Sequence, residues 1–194
     1  IVAHAVPVPV DRQTVKVSVI VPAFNAAETI AWVLQSLLEQ TWRNLEIIVI
    51  DDQSTDDTCE IVESITRTDP RVRLIRQRAN SGAYPARNTG VRHASGDLVM
   101  IHDSDDWSHP QRIQLQVETL LARPDLVAVK SYWVRVGPGL EIVGPWRPMG
   151  TLFERNFSSL MVRRALLETT GLWDEVLISG DSEFYSRLRA LYGE

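Results

Sequence analysis

The sequence predicts an α/β protein, a three-layer α/β/α sandwich around a mostly parallel central sheet, on three observations. Short apolar runs alternate with segments of helical periodicity along most of the 194 residues. The run 45–50 reads as a continuous apolar stretch rather than an alternating one, as a strand covered on both faces does. The segments that follow the strands, among them Pro22 to Asn25, Asp51 and Asp52, Asn80 to Asn88 and His102 to Trp107, then stand at the carboxyl ends, where open α/β sheets bind ligands. The length fits one domain, and 44% hydrophobic with 23% charged residues is an ordinary globular composition.

Residues 15–21 form a β-branched run that Pro22 is expected to end, because proline has no N–H for a central ladder. Asn25 with Glu28 three residues later marks a helix start, and Ile30, Val33, Leu34, Leu37 and Leu38 recur at helical spacing. Residues 45–50 read as a buried strand that delivers Asp51 and Asp52 to its end. Thr58–Thr66 reads as a helix through Ile61, Val62 and Ile65, residues 72–75 as a strand, 85–94 as a helix opened by Pro85, and 97–102 as a strand. Pro110 opens a further helix with Ile113, Val117, Leu120 and Leu121 on one face. Residues 126–136 read as one longer strand, and Gly137, Pro138 and Gly139 as a turn into an antiparallel return through Ile142. No organisation is assigned to 144–157. Residues 1–14, with Pro7 and Pro9 among valines and no signal-peptide pattern, read as a linker or edge segment ahead of a domain spanning 15–194.

A formal net charge of −5 excludes a general nucleic-acid or anionic-membrane binder, which needs a surplus of Lys and Arg. No apolar run approaches the ~20 residues of a membrane span. The single cysteine, Cys59, has no partner for an internal disulfide and sits among helix formers as an inert buried thiol, which fits a reducing, cytoplasmic setting.

Asp103, Ser104, Asp105 and Asp106 follow the apolar stretch 98–101 directly. Three crowded carboxylates repel one another unless water, a cation or a basic side chain compensates them. A hard divalent ion, Mn²⁺ or Mg²⁺, shared with substrate phosphates would do so; a solvated turn capping the helix at Pro110 is the alternative. Asp51 and Asp52 form a second acidic pair at a neighbouring strand end. A carboxylate only accepts hydrogen bonds, so it matches the ring N–H of uracil or guanine and mismatches cytosine. Ser54 to Asp56 serve to cap the following helix. Phe24 stacks on a base or belongs to the core. Asn80, Ser81 and Gly82 form a turn before the helix bearing Arg87 and Asn88. Backbone N–H groups there and a basic side chain one turn in suit a phosphate-sized anion, unless the arginine is simply solvated.

Taken in order, Val17-Ser-Val-Ile-Val-Pro-Ala-Phe-Asn25, Ile50-Asp-Asp-Gln-Ser-Thr-Asp-Asp-Thr58, Ala86-Arg-Asn-Thr-Gly90 and His102-Asp-Ser-Asp-Asp-Trp107 resemble family 2 glycosyltransferases of the GT-A (nucleotide-diphospho-sugar transferase) fold, over roughly residues 15–190. The resemblance implies inverting transfer from a nucleoside-diphosphate sugar, UDP-linked by preference, to the hydroxyl of a glycan, lipid-linked or other acceptor. It implies a Mn²⁺ or Mg²⁺ cofactor and no covalent sugar intermediate, and it allows the full protein a peripheral membrane attachment. Pro22, Ala23, Phe24, Asn25 and Glu28 would line the nucleotide site with Asp52 on the base, and Gly82, Arg87, Asn88, Asp103 and Ser104 would complete it. Asp103 and Asp105 match the D-x-D metal positions, with Asp105 the more direct ligand. Asp181 aligns with the family's catalytic base, an Asp in a Glu-Asp pair opening a late helix; Gly180 replaces the Glu, and Arg187 aligns with a downstream basic residue.

Asp181 alternatively caps that helix, with Glu183 paired to Arg187 four residues on. Residues 160–175 resemble the segment preceding the base helix, and neither Trp133 nor Trp173 is assigned a role. Family members continue past the base helix, so the domain is expected to be short at its C-terminal end. One alternative is a catalytically impaired nucleotide-sugar-binding module of a larger protein, which Gly180 favours. The other, a phosphohydrolase with an aspartate nucleophile, needs Thr or Val two residues after a D-x-D; Trp107 and Gln53 do not supply it.

Overall fold

The computed structural model describes residues 14–137, 139, 141–145, 150–176 and 178–193. The expected linker lies outside the described residues except for Thr14, and so does Pro138. The elements run β1 (Val17–Ala23), α1 (Ile30–Leu38), β2 (Leu45–Asp51), α2 (Thr58–Thr66), β3 (Val72–Arg76), α3 (Ala83–His93), β4 (Leu98–Ile101) and α4 (Arg112–Ala122). They continue through β5 (Ala128–Val129), β6 (Tyr132–Trp133), β7 (Arg135–Val136), β8 (Ile142–Gly144), β9 (Glu154–Arg155), β10 (Met161–Arg163), α5 (Leu167–Thr170) and α6 (Gly180–Tyr192). Among the described residues the main sheet has the order β3-β2-β1-β4-β10-β5, parallel from β3 to β4, with β10 antiparallel to both its neighbours.

The pleat of β1 divides the core. Val17, Val19 and Val21 face α1, α2 and α4, where Ile30, Val33, Leu34 and Leu37 line one stripe of α1. Ile20 faces the opposite layer with Tyr84, Ala86 and Val91 of α3 and Phe184 and Leu188 of α6. Each fully buried aliphatic side chain contributes about 2 kcal/mol by leaving water. The α3 layer lies close to the sheet at Gly90, where an added Cβ would come within 2.2 Å of Ile20 Cγ2. Cys59 is buried, and burial first, then the neighbouring Asp51, pushes its thiol up to about 11, so it is inert. Among the described residues no helix is long and apolar enough to cross a membrane.

Four expectations are corrected. Pro22 lies inside β1 rather than after it. The Ile20 carbonyl bonds toward β4 and the Ala23 carbonyl toward β2, so by alternation Pro22 faces the β4 side, where pairing stops at Ile20 with Ile101. Its missing N–H therefore removes no ladder bond. Asn25 and Glu28 do not open α1, which starts at Ile30; Asn25 adopts a φ of 49° and accepts the Thr55 N–H instead. Pro85 is the third residue of α3, not its first. The single strand expected over 126–136 is three short pieces, because the Ser131 N–H turns to Ser159 Oγ and the Ser131 carbonyl takes the Asn156 N–H. That carries β6 onto β9, while β7 pairs with β8 in the return expected through Ile142.

At the amino ends of the strands, opposite the ligand side, Glu46 is 6% exposed and accepts from Ser18 Oγ at 2.6 Å, Ser95 N at 2.8 Å and Lys16 Nζ at 3.2 Å. Burial alone would raise its pKa; the bonds from Ser18, Ser95 and Lys16 outweigh burial and lower it from 4.5 to about 2. A folded value below the unfolded one stabilises the protein above pH 4.5, and that stabilisation is lost as the pH falls toward 2. Glu46→Gln is expected to cost about 3 kcal/mol near neutrality and to flatten the acid limb of stability over that window, read by urea unfolding at stepped pH.

Candidate active site

Strand register builds the site. β4 ends level with Ile20, three residues before β1 ends, so residues 102–105 cross beside the last turn of β1. β2 ends level with Ala23, and the Asp52 N–H bonds the Ala23 carbonyl. Between these ends lies a cavity of about 600 Å³ lined by Pro22, Ala23, Phe24, Asn25, Ala26, Glu28, Thr29, Asp52, Asn80, Gly82, Ala83, Ala86, Asp103, Ser104 and Asp105. Ten of the residues expected at the site therefore share one wall or floor. Phe24 is 50% exposed at the rim, which removes the core reading and leaves its ring face open to a base. The described residues other than glycine with positive φ are Asn25, Gln53 and Ser179, each beside a site element; such conformations cost about 1 kcal/mol or more and cluster where function holds them.

Asp52 is 3% exposed and accepts three bonds, from Gln77 Nε2 at 2.8 Å, Ser81 N at 2.9 Å and Gly82 N at 2.7 Å. The N–H groups expected to cradle a phosphate are thus engaged by a protein carboxylate. The N-cap of α2 is Asp57, with no side-chain cap bond; Ser54 instead takes the Asn25 N–H, and Asp56 takes the Thr58 and Ala27 N–H groups, which ties this loop to the one after β1.

Arg87 is 4% exposed, not solvated: Nη2 bonds Asp103 Oδ1 at 2.8 Å and Nη1 bonds Asp181 Oδ1. Burial disfavours its charge, yet Asp103 and Asp181 outweigh burial and raise its pKa, keeping it cationic. Its guanidinium also lies 4.9 Å from the centroid of the Tyr84 ring. Asn88 does not line the cavity; its amide donates to the Trp173 carbonyl and accepts the Trp173 N–H, fixing the chain ahead of α6. Trp173 is core, stacked on Phe184 at 4.2 Å. α6 starts at Gly180, so Asp181 occupies its first turn without capping it, and Glu183 pairs with Arg187 as expected. Gly180 is required where it stands: an added Cβ would meet three Tyr84 ring carbons at 2.7–2.9 Å.

The turn bearing Asp103 to Asp106 is held from below. The Asp103 carbonyl can only accept, so His102 Nδ1 carries the proton, and Nε2 accepts from Ser108 Oγ, which in turn accepts from Arg112 Nη1. Burial, reinforced by Arg112, holds His102 neutral with its pKa down at about 3. Thr29 Oγ1 ties the Ser104 carbonyl to the approach of α1 at 2.7 Å. Burial first, then the neighbouring carboxylates Asp103 and Asp105, pushes Asp106 up to about 6. No three His, Cys, Asp or Glu side chains among the described residues converge to hold a metal alone. Asp103 and Asp105, two hard oxygen donors on the cavity wall, are of the chemistry that would suit Mn²⁺ or Mg²⁺ sharing a substrate's oxygens. Sequence reasoning assigned no role to Thr29, Tyr84 or the Arg112–Ser108–His102 chain; of these His102, a polar residue ending an apolar strand, carried a local signal.

A mostly parallel sheet with this cavity at its strand ends defines a nucleotide-sugar glycosyltransferase architecture of the GT-A type. The family model described as glycosyl transferase family 2 matches residues 18–172, and the chain belongs to that family. Glycosyltransferase GlyA of Streptococcus pneumoniae serotype 4 is 30% identical over 174 residues, covering 88% of this chain and 24% of that protein. The UDP-Glc:alpha-D-GlcNAc-diphosphoundecaprenol beta-1,3-glucosyltransferase WfaP of Escherichia coli is 35% identical over 118 residues, 61% of this chain and 46% of that one. The chain thus spans less than half the length of both relatives. Among solved structures, the mannosyltransferase PcManGT of Pyrobaculum calidifontis, in complex with GDP-Man and Mn²⁺, matches with a TM-score of 0.73 at 28% identity, over 93% of this chain and 54% of that one. Residues 1–349 of S. aureus TarS in complex with UDP match with a TM-score of 0.69 at 25% identity, over 91% and 55% of the two chains.

Proposed function

We propose that this chain binds a nucleoside-diphosphate sugar, UDP-linked by preference, and transfers the sugar with inversion to an acceptor hydroxyl. The observation that carries the reading is the meeting of the ends of β1, β2 and β4 at one acid-rich cavity, with Asp181 of α6 tied to that cavity's Asp103 through Arg87. Phe24 stacks on the base, and the lone pair that Asp52 Oδ2 retains beyond Gly82 accepts a ring N–H. Asp103 and Asp105 hold Mn²⁺ or Mg²⁺, which when bound neutralises charge on the departing diphosphate. Asp181 takes the proton of the acceptor hydroxyl. The acceptor oxygen bonds the anomeric carbon as the bond from that carbon to the β-phosphate oxygen breaks, and the electron pair leaves with the nucleoside diphosphate. A single displacement inverts the centre.

The named ligands of PcManGT and TarS support a nucleotide and a divalent ion, and the name of WfaP supports a lipid-linked acceptor and a UDP-sugar. A glycan acceptor fits the same chemistry, with transfer in the cytoplasm and peripheral attachment where the acceptor lies in a membrane. Calorimetric titration of the folded protein with UDP, GDP and CDP, with and without Mn²⁺, tests the reading. UDP is expected to bind at least about tenfold more tightly with Mn²⁺, and CDP, which lacks the ring N–H, to bind weakly. Absence of binding by all three would sink it.

A further inference from the structure

Arg87 holds two carboxylates from different parts of the chain at once. Its fork reaches Asp103 on the turn after β4 and Asp181 in the first turn of α6, across 16 and 94 residues of sequence. Its position is restricted: the residue is 4% exposed, its guanidinium lies over the Tyr84 ring, and Nε is buried without a hydrogen-bond partner. Tyr84 is itself packed against Gly180, so the ring that supports the guanidinium also sets where α6 begins. Each Nη group already gives a hydrogen bond to a protein acid, and Nε is buried without a partner. This is not the geometry of an arginine waiting for a phosphate.

We propose that Arg87 is a positioning residue that couples the D-x-D turn to Asp181. It serves as the counter-ion of Asp103 before a divalent cation arrives, and it ties Asp181 to the cavity's Asp103. The charges alternate in a row: Asp181 negative, Arg87 positive, Asp103 negative, then the cation. A cation on the D-x-D and Arg87 draw on the same Asp103 charge, so each weakens the other, while Asp181 draws Arg87 away from Asp103 and so favours the cation. Coupling of this kind is reciprocal: cation binding shifts Arg87 toward Asp181 by the same free energy. The inference rests on the cation site proposed above.

The test uses Mn²⁺ alone, with the free ion followed by electron paramagnetic resonance, on the wild type, Arg87→Gln, Asp181→Asn and the double variant. Arg87→Gln is expected to tighten Mn²⁺ binding about tenfold by removing the competing charge, and Asp181→Asn to weaken it about threefold. In the Arg87→Gln background the effect of Asp181→Asn is expected to disappear, because its route is gone. Equal effects of Asp181→Asn in both backgrounds would mean long-range charge alone and overturn the coupling. So would an Arg87→Gln protein with unchanged Mn²⁺ affinity and about tenfold weaker UDP binding, the signature of a diphosphate ligand. If Arg87→Gln does not fold, Arg87→Lys keeps the charge without the planar fork and carries the same comparison: the Asp181→Asn effect shrinks at least by half, or the inference fails. A folded wild type that binds no Mn²⁺ removes the cation site, and the coupling with it; a wild type that binds Mn²⁺ without the coupling removes only the role of Arg87.

Discussion

Asp181→Asn is expected to slow sugar transfer by about 100- to 10,000-fold, the range a general base contributes, while UDP affinity at saturating Mn²⁺ stays within about threefold. Asparagine has the same shape and keeps an oxygen for Arg87, so the fork that ties α6 to the D-x-D turn retains both contacts. What disappears is the proton acceptor. Phe184, on the same face of α6, anchors the helix in the core and does not depend on the substitution. UDP release from UDP-sugars, measured against glycan and lipid-linked acceptors, gives the rate, and calorimetry the affinity. Equal rates for variant and wild type would remove Asp181 from the chemistry. Donor binding with no release by either protein would instead favour the binding-module alternative.

Asp105→Ala is expected to eliminate the part of UDP binding that depends on Mn²⁺. Outer partners of a metal ligand already contribute about 10- to 100-fold to affinity, so removal of a ligand itself costs at least about 100-fold. Asp103 has Arg87 as a partner, whereas Asp105 is exposed, lines the cavity and has no hydrogen-bond or ion-pair partner among the described residues. It is therefore the carboxylate most open to a cation, and its loss leaves no buried group unsatisfied. The melting temperature is expected to hold, since exposed substitutions without such features change stability by about 0.5 kcal/mol or less. Titrating UDP with and without Mn²⁺ separates the outcomes: affinity without metal unchanged, and the Mn²⁺ enhancement gone. An enhancement equal to that of the wild type would place the ion elsewhere.

Much of the fold was legible because its signals are local. The stripe Ile30, Val33, Leu34 and Leu37 announces a helix by its period, and the run of β2, apolar from Ile47 to Ile50, announces a buried strand. Where local signals conflicted, the structure chose by context. Pro22 reads as a strand end, but a central strand accepts it once the neighbouring strand has stopped. Residues 126–136 read as one strand because they are rich in β-branched and aromatic residues, yet the bond Ser131 N–H gives to Ser159 and the one its carbonyl accepts from Asn156, both distant in sequence, break it. Arg87 reads as a solvated or phosphate-binding helix residue, since nothing within a turn of it announces two carboxylates.

The sequence alone determined the layered α/β architecture, the strand ends at which function gathers and the acids that stand there, because period, apolar runs and turn residues are properties of neighbouring positions. Tertiary structure decided which groups meet: Asp52 with the Ser81 and Gly82 N–H groups, Arg87 with Asp103 and Asp181, and Gly180 with the Tyr84 ring. Those pairings depend on strand register and on how α3 and α6 pack against one sheet face. A side chain that is half solvated in an isolated helix becomes a buried counter-ion only when that packing closes around it.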